Sequence, residues 1–379
     1  MALDELRERI DAVDDQMAKL FAERMALAAE VGKEKNKTGA PIENTAREKE
    51  ILNRVVSDMP EDIKLYAKQV FGILFDTSKA YQSGFVDLKS HIKEEIAQAL
   101  IDGWQKFPAS AVVACQGVLG AYSSIAADKL FSISNHMYFK DFEGVFNAVE
   151  RGMCEFGVLP IENSLVGSVN AVYDLMARHK FYIAKSVKLS VKHYLLANAG
   201  TRLSDVKEIF SHEQAFGQCA KFLQTLKDVK LTPCENTAIA AKRLAESGRR
   251  DAACIASREC AGYYGLSVLQ PNIQDNDNNY TRFIAISKKF KAYENAGKIS
   301  IMVNLPHQAG SLNRVLNKFS ALSLNLTKIE SRPIPNSAFE FSFYFDFDAK
   351  IQNVEVQNLL SELERTSDRF VFLGSYEED

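Results

Sequence analysis

The sequence lacks the features that mark membrane, secreted and nucleic-acid-binding proteins. No apolar run reaches the roughly 18 residues that a membrane-spanning helix needs. The first residues, Met1 to Arg9, are charged and contain no signal-peptide core. The formal net charge of −3 over 379 residues provides no polybasic field for nucleic acid or a membrane surface. We therefore expect a cytoplasmic protein that binds neither.

Cysteine pairs and nucleotide-binding glycines are also missing. No two cysteines form a CxxC pair, which argues against a structural zinc site and a disulfide framework. Gly117 and Gly120 follow a predicted strand but do not form GxGxxG, and no acidic residue follows a second predicted strand at the usual distance. We expect reduced thiols and no cofactor or metal. The cysteines are Cys115, Cys154, Cys219, Cys234, Cys254 and Cys260.

The composition is that of an ordinary globular protein, with 46% hydrophobic and 25% charged residues. Three successive segments differ in their residue patterns. Residues 1–90 have few glycines and prolines and read as a helical domain, with breaks near residues 37–41 and 58–60. An amphipathic helical connector is predicted over 91–108, ending at Pro108. The length and these shifts in composition predict a multidomain chain.

Residues 109–288 alternate β-rich runs with helical stretches, which predicts a two-lobed α/β domain with largely parallel sheets. Strands are expected at 111–116, 156–161, 182–189, 208–211, 253–256 and 281–287, and helices at 123–130, 142–151, 215–226 and 237–247. Residues 298–379 follow the order strand, helix, strand, strand, helix, strand, typical of a ferredoxin-like βαββαβ module. Its clearest strand has phenylalanine at every second position from 339 to 347.

The first helix carries an apolar seam with a coiled-coil spacing, and Arg24 interrupts it. A helix of about 33 residues is ~50 Å long, which is more than its own small domain can cover. A second copy of the chain is therefore expected to cover it. The seam residues are Leu6, Ile10, Val13, Met17, Leu20, Leu27 and Val31.

Arg24 needs an anion, because an unpaired buried cation is costly. The alternatives are a salt bridge to a nearby glutamate, a side chain that extends to the solvent, or a bound anionic ligand. Lys35 lies on the same helical face as Arg24. Arg7 is ~26 Å away along the axis and off that face, so it can serve only a partner's site. Ser78 and Gln82 share a face of the third helix, and the whole set suits a small dicarboxylate.

The first 85 residues resemble the all-helical chorismate mutases, which form intertwined dimers. The resemblance rests on "LRERIDAVDDQMAKLFAERMALAAEVGKEK", then "REKEIL", then Ser78 and Gln82. It implies rearrangement of chorismate to prephenate, with Lys35 and Gln82 at the breaking ether oxygen. Asn44 stands where the family usually has aspartate. The implied substrate-binding residues are Arg7 of the other subunit, Arg24, Asn44, Arg47, Glu48 and Ser78.

Residues 111–288 resemble prephenate dehydratase, whose two α/β lobes resemble periplasmic binding proteins. The motifs are "CQGVLGAYSSIAA", "GVLPIENSLVGSV", "FSHEQAFGQC", "CENTAIAA" and "NNYTRF", in family order. The resemblance implies Thr281 as the catalytic residue, with His212 and Glu162 left open as alternative acids. Plant arogenate dehydratases share these motifs, so the choice between prephenate and arogenate stays open. The implied substrate-binding residues are Asn163, Ser164, Ser211, Gln214 and Arg282.

The last domain resembles the ACT domain through "LPHQAGSLNRVLNKF" and "LNLTKIESRP". The resemblance implies phenylalanine as an effector bound between subunits of a homodimer or higher homo-oligomer. The whole order is that of the bifunctional P-protein family of phenylalanine biosynthesis. A monofunctional dehydratase with a degenerate mutase domain and a non-catalytic amino-acid sensor are the alternatives. The implied effector residues are Gly310, Ser311, Leu312, Asn325, Leu326 and Glu330.

Overall fold

The computed structural model describes residues 3–86, 90–308, 310–334 and 340–379. The chain divides into two compact units. The first contains residues 1–101 and 301–372, and the second contains 102–300 and 373–379. Every helix among the described residues is too short or too polar to be a candidate membrane span.

The first unit begins with helices α1 (Leu3–Thr38), α2 (Thr45–Ser57), α3 (Glu61–Ser83) and α4 (His91–Ile101). The breaks between α1, α2 and α3 fall near the predicted positions, residues 37–41 and 58–60. The connector differs from the prediction, because α4 ends at Ile101 rather than near Pro108. Gly103 follows with φ +90°, a left-handed conformation that glycine adopts readily and that stops the helix.

Small residues of α1 form its buried face within this unit. Ala28, Ala29 and Gly32 are buried where α1 packs against α3. A Cβ atom at Gly32 would lie 2.9 Å from the carbonyl oxygen of Gln82, so the two helices approach too closely for any larger residue. The apolar seam of α1 stays exposed instead, from 39% at Leu6 to 64% at Leu20.

The second unit contains two sheets connected by helices. Its strands are β1 (Ser110–Gln116), β2 (Ile133–Phe139), β3 (Phe156–Asn163), β4 (Gly167–Ser168), β5 (Tyr182–Ser190), β6 (Tyr194–Ala197), β7 (Glu208–Ser211), β8 (Lys230–Pro233), β9 (Ala252–Ala256), β10 (Ser267–Gln270) and β11 (Tyr280–Ser287). Its helices are α5 (Tyr122–Leu130), α6 (Phe142–Glu150), α7 (Asn170–Arg178), α8 (Glu213–Gln218), α9 (Ala220–Gln224), α10 (Thr237–Ser247) and α11 (Arg258–Tyr264). The single helix predicted over 215–226 is wrong, because the chain breaks at Cys219 between α8 and α9.

Both sheets are mixed, so the prediction of largely parallel sheets is wrong. The first sheet has the order β5-β11-β3-β1-β2, with β4 beside β3. In it β1 runs parallel to β2 and β3, whereas β11 is antiparallel to β3 and β5. The second sheet has the order β10-β6-β9-β7-β8. The chain leaves the first sheet after β5, forms the second sheet, and returns to the first sheet as β11. This returning strand runs antiparallel to both of its neighbours, β3 and β5.

The remaining elements are β12 (Lys298–Asn304), α12 (Ser311–Ala321), β13 (Asn325–Pro333), β14 (Phe341–Asp348), α13 (Val354–Thr366) and β15 (Arg369–Glu378). Their order is the predicted βαββαβ, and the strands associate as β13-β14-β12-β15. Phe345 and Phe347 are fully buried on β14, as the alternation predicted. Tyr344 and Asp346 on its other face are also buried. Phe339 lies outside the described residues.

Candidate active sites

Lys35 and Gln82 meet where α1 packs against α3. The Nζ atom of Lys35 donates hydrogen bonds to the carbonyl oxygen of Ile42, at 2.7 Å, and to Oε1 of Gln82, at 3.3 Å. Burial lowers the pKa of Lys35, and the nearby charge of Glu48 partly opposes this shift. The close approach at Gly32 brings the two side chains together, so an ammonium and an amide lie side by side.

Arg24 contacts α3 at Ser78, one helical turn before Gln82. Its guanidinium donates to Oγ of Ser78 and to the carbonyl oxygen of Leu74, and it lies over the ring of Phe75. No carboxylate pairs with Arg24 in the described part of the chain, so the alternative of a salt bridge to a nearby glutamate is not observed. Burial lowers the pKa of this guanidinium. A half-buried cation without a counter-ion is suited to an anionic ligand.

The α2 residues of the predicted site have local partners. Oδ1 of Asn44 accepts a hydrogen bond from the backbone N–H of Arg47 at 3.0 Å, which caps α2. The guanidinium of Arg47 pairs with Glu50 at 2.7 Å. Glu48 pairs at 3.1 Å with Lys79, a cation that the sequence analysis did not single out.

Arg7 lies away from these groups, near the start of α1. It forms an exposed ion pair with Asp4 at 3.2 Å. Of the predicted mutase set, the structure therefore brings together Arg24, Ser78, Lys35 and Gln82.

A cavity of about 560 Å³ in the second unit is lined by strands of its first sheet and by the loops and helices that follow β7 and β8 of its second sheet. The predicted residues Asn163, Gln214 and Thr281 line it. The polar lining residues that the sequence analysis did not select are Gln116, Tyr122, Ser123, Ser168, His193, Gln218, Glu235, Asn236 and Thr237.

Thr281 and Asn163 lie opposite each other on β11 and β3. The Nδ2 group of Asn163 donates to Oγ1 of Thr281 at 2.9 Å and to Oδ1 of Asn279 at 2.8 Å. Oδ1 of Asn163 accepts from the backbone N–H groups of Leu165 and Val166, which fixes the orientation of the amide. The hydroxyl of Thr281 therefore accepts from Asn163 and keeps its own proton for donation.

Arg282, Ser164 and Ser211 are not among the residues that line the cavity, so their predicted contact with the substrate stays a prediction. Successive residues of a strand face opposite sides of a sheet. Since Thr281 faces the cavity, Arg282 faces away from it. The guanidinium of Arg282 pairs with Glu162 at 3.5 Å and with Glu378 at 3.3 Å.

The two serines are held by backbone groups. The hydroxyl of Ser164 donates to the carbonyl oxygen of Asn278 and accepts from the N–H of Tyr280. Ser211 is fully buried and donates to the carbonyl oxygen of Ile255 at 2.8 Å.

The two alternative acids have structural roles. His212 lines the cavity, but its ring caps α8 by accepting the N–H of Gln214. Glu162 does not line the cavity and pairs with Arg282.

The motif "CENTAIAA" could have predicted Asn236 and Thr237 as cavity residues, because it places an N-cap asparagine at the start of a helix that follows a strand. Oδ1 of Asn236 caps α10 by accepting the N–H of Ile239 at 2.8 Å. Gly117 has φ +101°, and a Cβ atom there would lie 3.1 Å from Nδ2 of Asn236.

The predicted effector residues lie at the start of α12 and along β13. Gly310 has φ +83° and precedes α12. The buried hydroxyl of Ser311 accepts from Arg314 at 3.0 Å. Asn325 donates to Asp348 at 2.9 Å. Leu312 follows Ser311 on α12, and Leu326 and Glu330 follow Asn325 on β13.

Two unrelated sites on one chain, one at a helix junction and one in an α/β cavity, define a multifunctional enzyme that acts on small polar ligands. The family model for chorismate mutase type II matches residues 6–83, and the model for prephenate dehydratase matches residues 113–291. The bifunctional chorismate mutase/prephenate dehydratase of Escherichia coli K12 is 31% identical, covering 98% of this chain and 95% of the relative.

A second relative, the chloroplastic arogenate dehydratase/prephenate dehydratase 2 of Arabidopsis thaliana, is 40% identical over 70% of this chain and 73% of its own length. The structure of prephenate dehydratase from Arthrobacter aurescens in complex with L-Phe has a TM-score of 0.64 at 29% identity. It covers 70% of this chain and 90% of that one. The chain belongs to the bifunctional chorismate mutase/prephenate dehydratase family, whose enzymes serve phenylalanine biosynthesis.

Proposed function

We propose that the helical site rearranges chorismate to prephenate and that the α/β cavity converts prephenate to phenylpyruvate. The observation that carries the proposal is the Asn163–Thr281 pair, a fixed amide holding a hydroxyl in a cavity of about 560 Å³. That volume lies within the range of small-molecule sites.

The mutase step is a unimolecular rearrangement, so it needs no nucleophile and no proton transfer. The enzyme accelerates it by holding the compact conformer and stabilising the charge that develops on the ether oxygen. Lys35 and Gln82 are suited to this role, because their donor groups lie at one point of the helix junction. Arg24, with Ser78 beside it, is suited to a carboxylate of the substrate.

The dehydratase step removes hydroxide and carbon dioxide from the substrate and forms an aromatic ring. The leaving hydroxyl needs a hydrogen-bond donor, and the proposed donor is Thr281, whose oxygen already accepts from Asn163. The net reaction also takes up one proton, which a threonine hydroxyl passes on but does not supply. Gln214 and Asn236 are proposed to bind the substrate on the opposite wall.

A homodimer is the proposed assembly. The α1 seam supports it, because seven apolar side chains at coiled-coil spacing are 39–64% exposed in a single chain. An intertwined pair would cover both seams. It would also bring Arg7 to a site shared with a partner.

The βαββαβ module is proposed to be a ferredoxin-like ACT domain that senses phenylalanine. The strand order β13-β14-β12-β15 supports the fold, and the glycine turn at Gly310 supports the site. The relative that was crystallised with L-Phe supports the effector. A coupling free energy of ~1–3 kcal/mol would give 5–150-fold inhibition.

Incubation of the purified chain with chorismate tests the proposal. We expect prephenate first and phenylpyruvate later, with less phenylpyruvate in the presence of phenylalanine. Thr281→Ala should lower dehydratase activity by roughly 10²- to 10⁴-fold and leave prephenate formation intact. Tyr280→Phe, at the exposed neighbouring residue, is the matched control. Phenylpyruvate formation by Thr281→Ala at the normal rate would exclude the assignment.

A further inference from the structure

Lys79 is a lysine of α3 that lies between two carboxylates, and the proposed mechanism does not use it. Its Nζ atom lies 3.1 Å from Oε1 of Glu48 on α2 and 3.1 Å from Oδ1 of Asp76, one helical turn earlier on α3. The three side chains are only 13–27% exposed. These ion pairs are therefore partly shielded from solvent, and they connect α2 to α3.

Glu48 lies near two ammonium groups but pairs with only one of them. Burial lowers the pKa of Lys35 and the charge of Glu48 raises it in part, so the carboxylate is close enough to act on Lys35. Among the described residues, however, Lys35 donates to the carbonyl oxygen of Ile42 and to Gln82 and not to Glu48. The carboxylate that could bind Lys35 is bound to Lys79 instead.

Glu48 is the one carboxylate in the predicted mutase set. Asn44 is neutral where the family usually has aspartate. The charged members other than Glu48 are all cations, namely Arg7, Arg24, Lys35 and Arg47. Glu48 is therefore the member of the set that can neutralise a cation of the site. A carboxylate bound to Lys35 would occupy the donor that the proposed mechanism directs at the ether oxygen.

The two lysines differ in what surrounds them. Burial alone would lower the pKa of Lys79, but the charges of Glu48 and Asp76 and their hydrogen bonds raise it above the ordinary value. At Lys35 the effect of burial is the larger one. Lys79 is therefore the better paired cation, and it stays charged at neutral pH as a partner for Glu48.

Helical geometry places Lys79 beside the face of α3 that carries Ser78 and Gln82. At 100° per residue, Lys79 is about 100° around the helix from Ser78 and about 60° from Gln82. Its partner Glu48 belongs to α2, whereas Ser78 and Gln82 contact side chains of α1. Lys79 therefore flanks the proposed substrate face on its α2 side, where it can act through Glu48.

We propose that Lys79 is a positioning residue of the mutase site. Lys79, which also pairs with Asp76, binds Glu48 and keeps this carboxylate from pairing with Lys35. The ammonium of Lys35 then remains available to the ether oxygen of chorismate. This step rests on the proposed mutase function. Lys79 itself makes no bond to the substrate and acts through the other two side chains.

Lys79→Met in the full chain removes the ammonium and keeps a long side chain. Glu48 should then pair with Lys35, and the mutase kcat should fall roughly 10²-fold, the low end of the cost of losing one oxyanion donor. KM should stay within about threefold of the wild-type value. Lys79→Arg keeps the cation and should retain most of the activity. An unchanged kcat for Lys79→Met, or a loss confined to KM, would overturn the proposal.

Lys64→Met is the matched control. Lys64 pairs with Glu61, three residues earlier on the same helix, as Lys79 pairs with Asp76. Its loss should leave the mutase kcat unchanged. An equal fall in kcat for Lys64→Met and Lys79→Met would mean a general effect on α3 and would overturn the proposal.

The double variant Lys79→Met with Glu48→Gln tests the route of the effect. An uncharged glutamine cannot form an ion pair with Lys35, so the double variant should have a kcat within about threefold of Glu48→Gln alone. The same loss from Lys79→Met in both backgrounds would mean packing or substrate contact and would overturn the proposal. Lys79→Gln, which stays polar, should repeat the loss if Lys79→Met folds poorly, and urea denaturation reports folding. Failure of the unaltered chain to form prephenate from chorismate would instead overturn the proposed mutase function.

Discussion

The Nζ atom of Lys35 lies 3.3 Å from Oε1 of Gln82, although 47 residues separate them in the sequence. The contact exists because α1 and α3 pack closely at Gly32. Among the residues that the structure describes, neither side chain has a carboxylate within hydrogen-bond distance. Both therefore retain the capacity to donate to an oxygen that gains charge during a reaction.

Lys35→Gln should lower the mutase kcat about 10²- to 10³-fold, the usual cost of removing one donor from a developing oxyanion. Dehydratase activity measured with added prephenate should not change. Lys37→Gln is the matched control, because Lys37 is exposed near the end of the same helix and pairs with Glu34. A Lys35→Gln enzyme with normal mutase activity would contradict the role.

Gly32→Ala should separate α1 from α3. The added Cβ atom would meet the carbonyl oxygen of Gln82 at 2.9 Å, and overpacking of this kind costs about 1–3 kcal/mol. We expect a lower midpoint of urea denaturation and a lower mutase rate. Gly72→Ala is the control, because no described atom lies within 4 Å of a Cβ atom added there and alanine favours a helix. Equal denaturation midpoints for the two variants would refute the close approach.

Glu378→Gln should make stability less dependent on pH. Burial alone would raise the pKa of Glu378, but hydrogen bonds from Lys298 and Lys188 and the charge of Arg282 lower it to about 2. An acid whose pKa is depressed in the folded state contributes stability above its unfolded pKa, here on the order of 2 kcal/mol at neutral pH. That contribution is lost as the pH falls from about 4.5 toward 2.

Urea denaturation at several pH values measures this effect. At pH 7 Glu378→Gln should be less stable than the wild type, and by about pH 3 more than half of the difference should disappear. Glu246→Gln, at an exposed carboxylate paired loosely with Lys242, is the control and should show no such trend. A pH-independent difference would argue against the shifted pKa.

Gly310→Ala should weaken inhibition by phenylalanine. The residue has φ +83°, so any side chain strains the turn that opens α12 and the proposed effector site. Dehydratase activity is measured across millimolar phenylalanine, and the inhibition curve should shift to higher concentrations. Gly248→Ala imposes similar backbone strain at φ +61° after α10 and should leave inhibition unchanged. Identical inhibition curves for the two variants would exclude this turn.

Features that depend on local sequence were predictable. Helix α10 was predicted at its observed bounds, Thr237–Ser247, because its N-cap Asn236 and its left-handed C-cap Gly248 are both local signals. Arg24, Lys35, Ser78 and Gln82 were selected by helical geometry and family resemblance together. Thr281 was placed by family resemblance alone.

Features that depend on distant contacts were not predictable. The edge strand β2 was missed because its sequence, ISNHMYF, mixes polar and apolar residues without a clear period. Arg282 was placed at the substrate because its motif neighbour is Thr281, although strand alternation puts the two on opposite faces. His193 and Gln218 were missed as cavity residues because their contact depends on the folded chain and leaves no local sequence signal.

Because the apolar seam of α1 is exposed in a single chain, the stability of the protein should depend on the protein concentration. Each partner that covers the seam acts as a ligand of the folded state, so dilution should lower the melting temperature by mass action. Mutase activity per chain should fall on dilution as well, since Arg7 then loses the second chain that it would serve. Asn163, Gln214 and Thr281 lie within one unit of a single chain, so dehydratase activity per chain should persist on dilution.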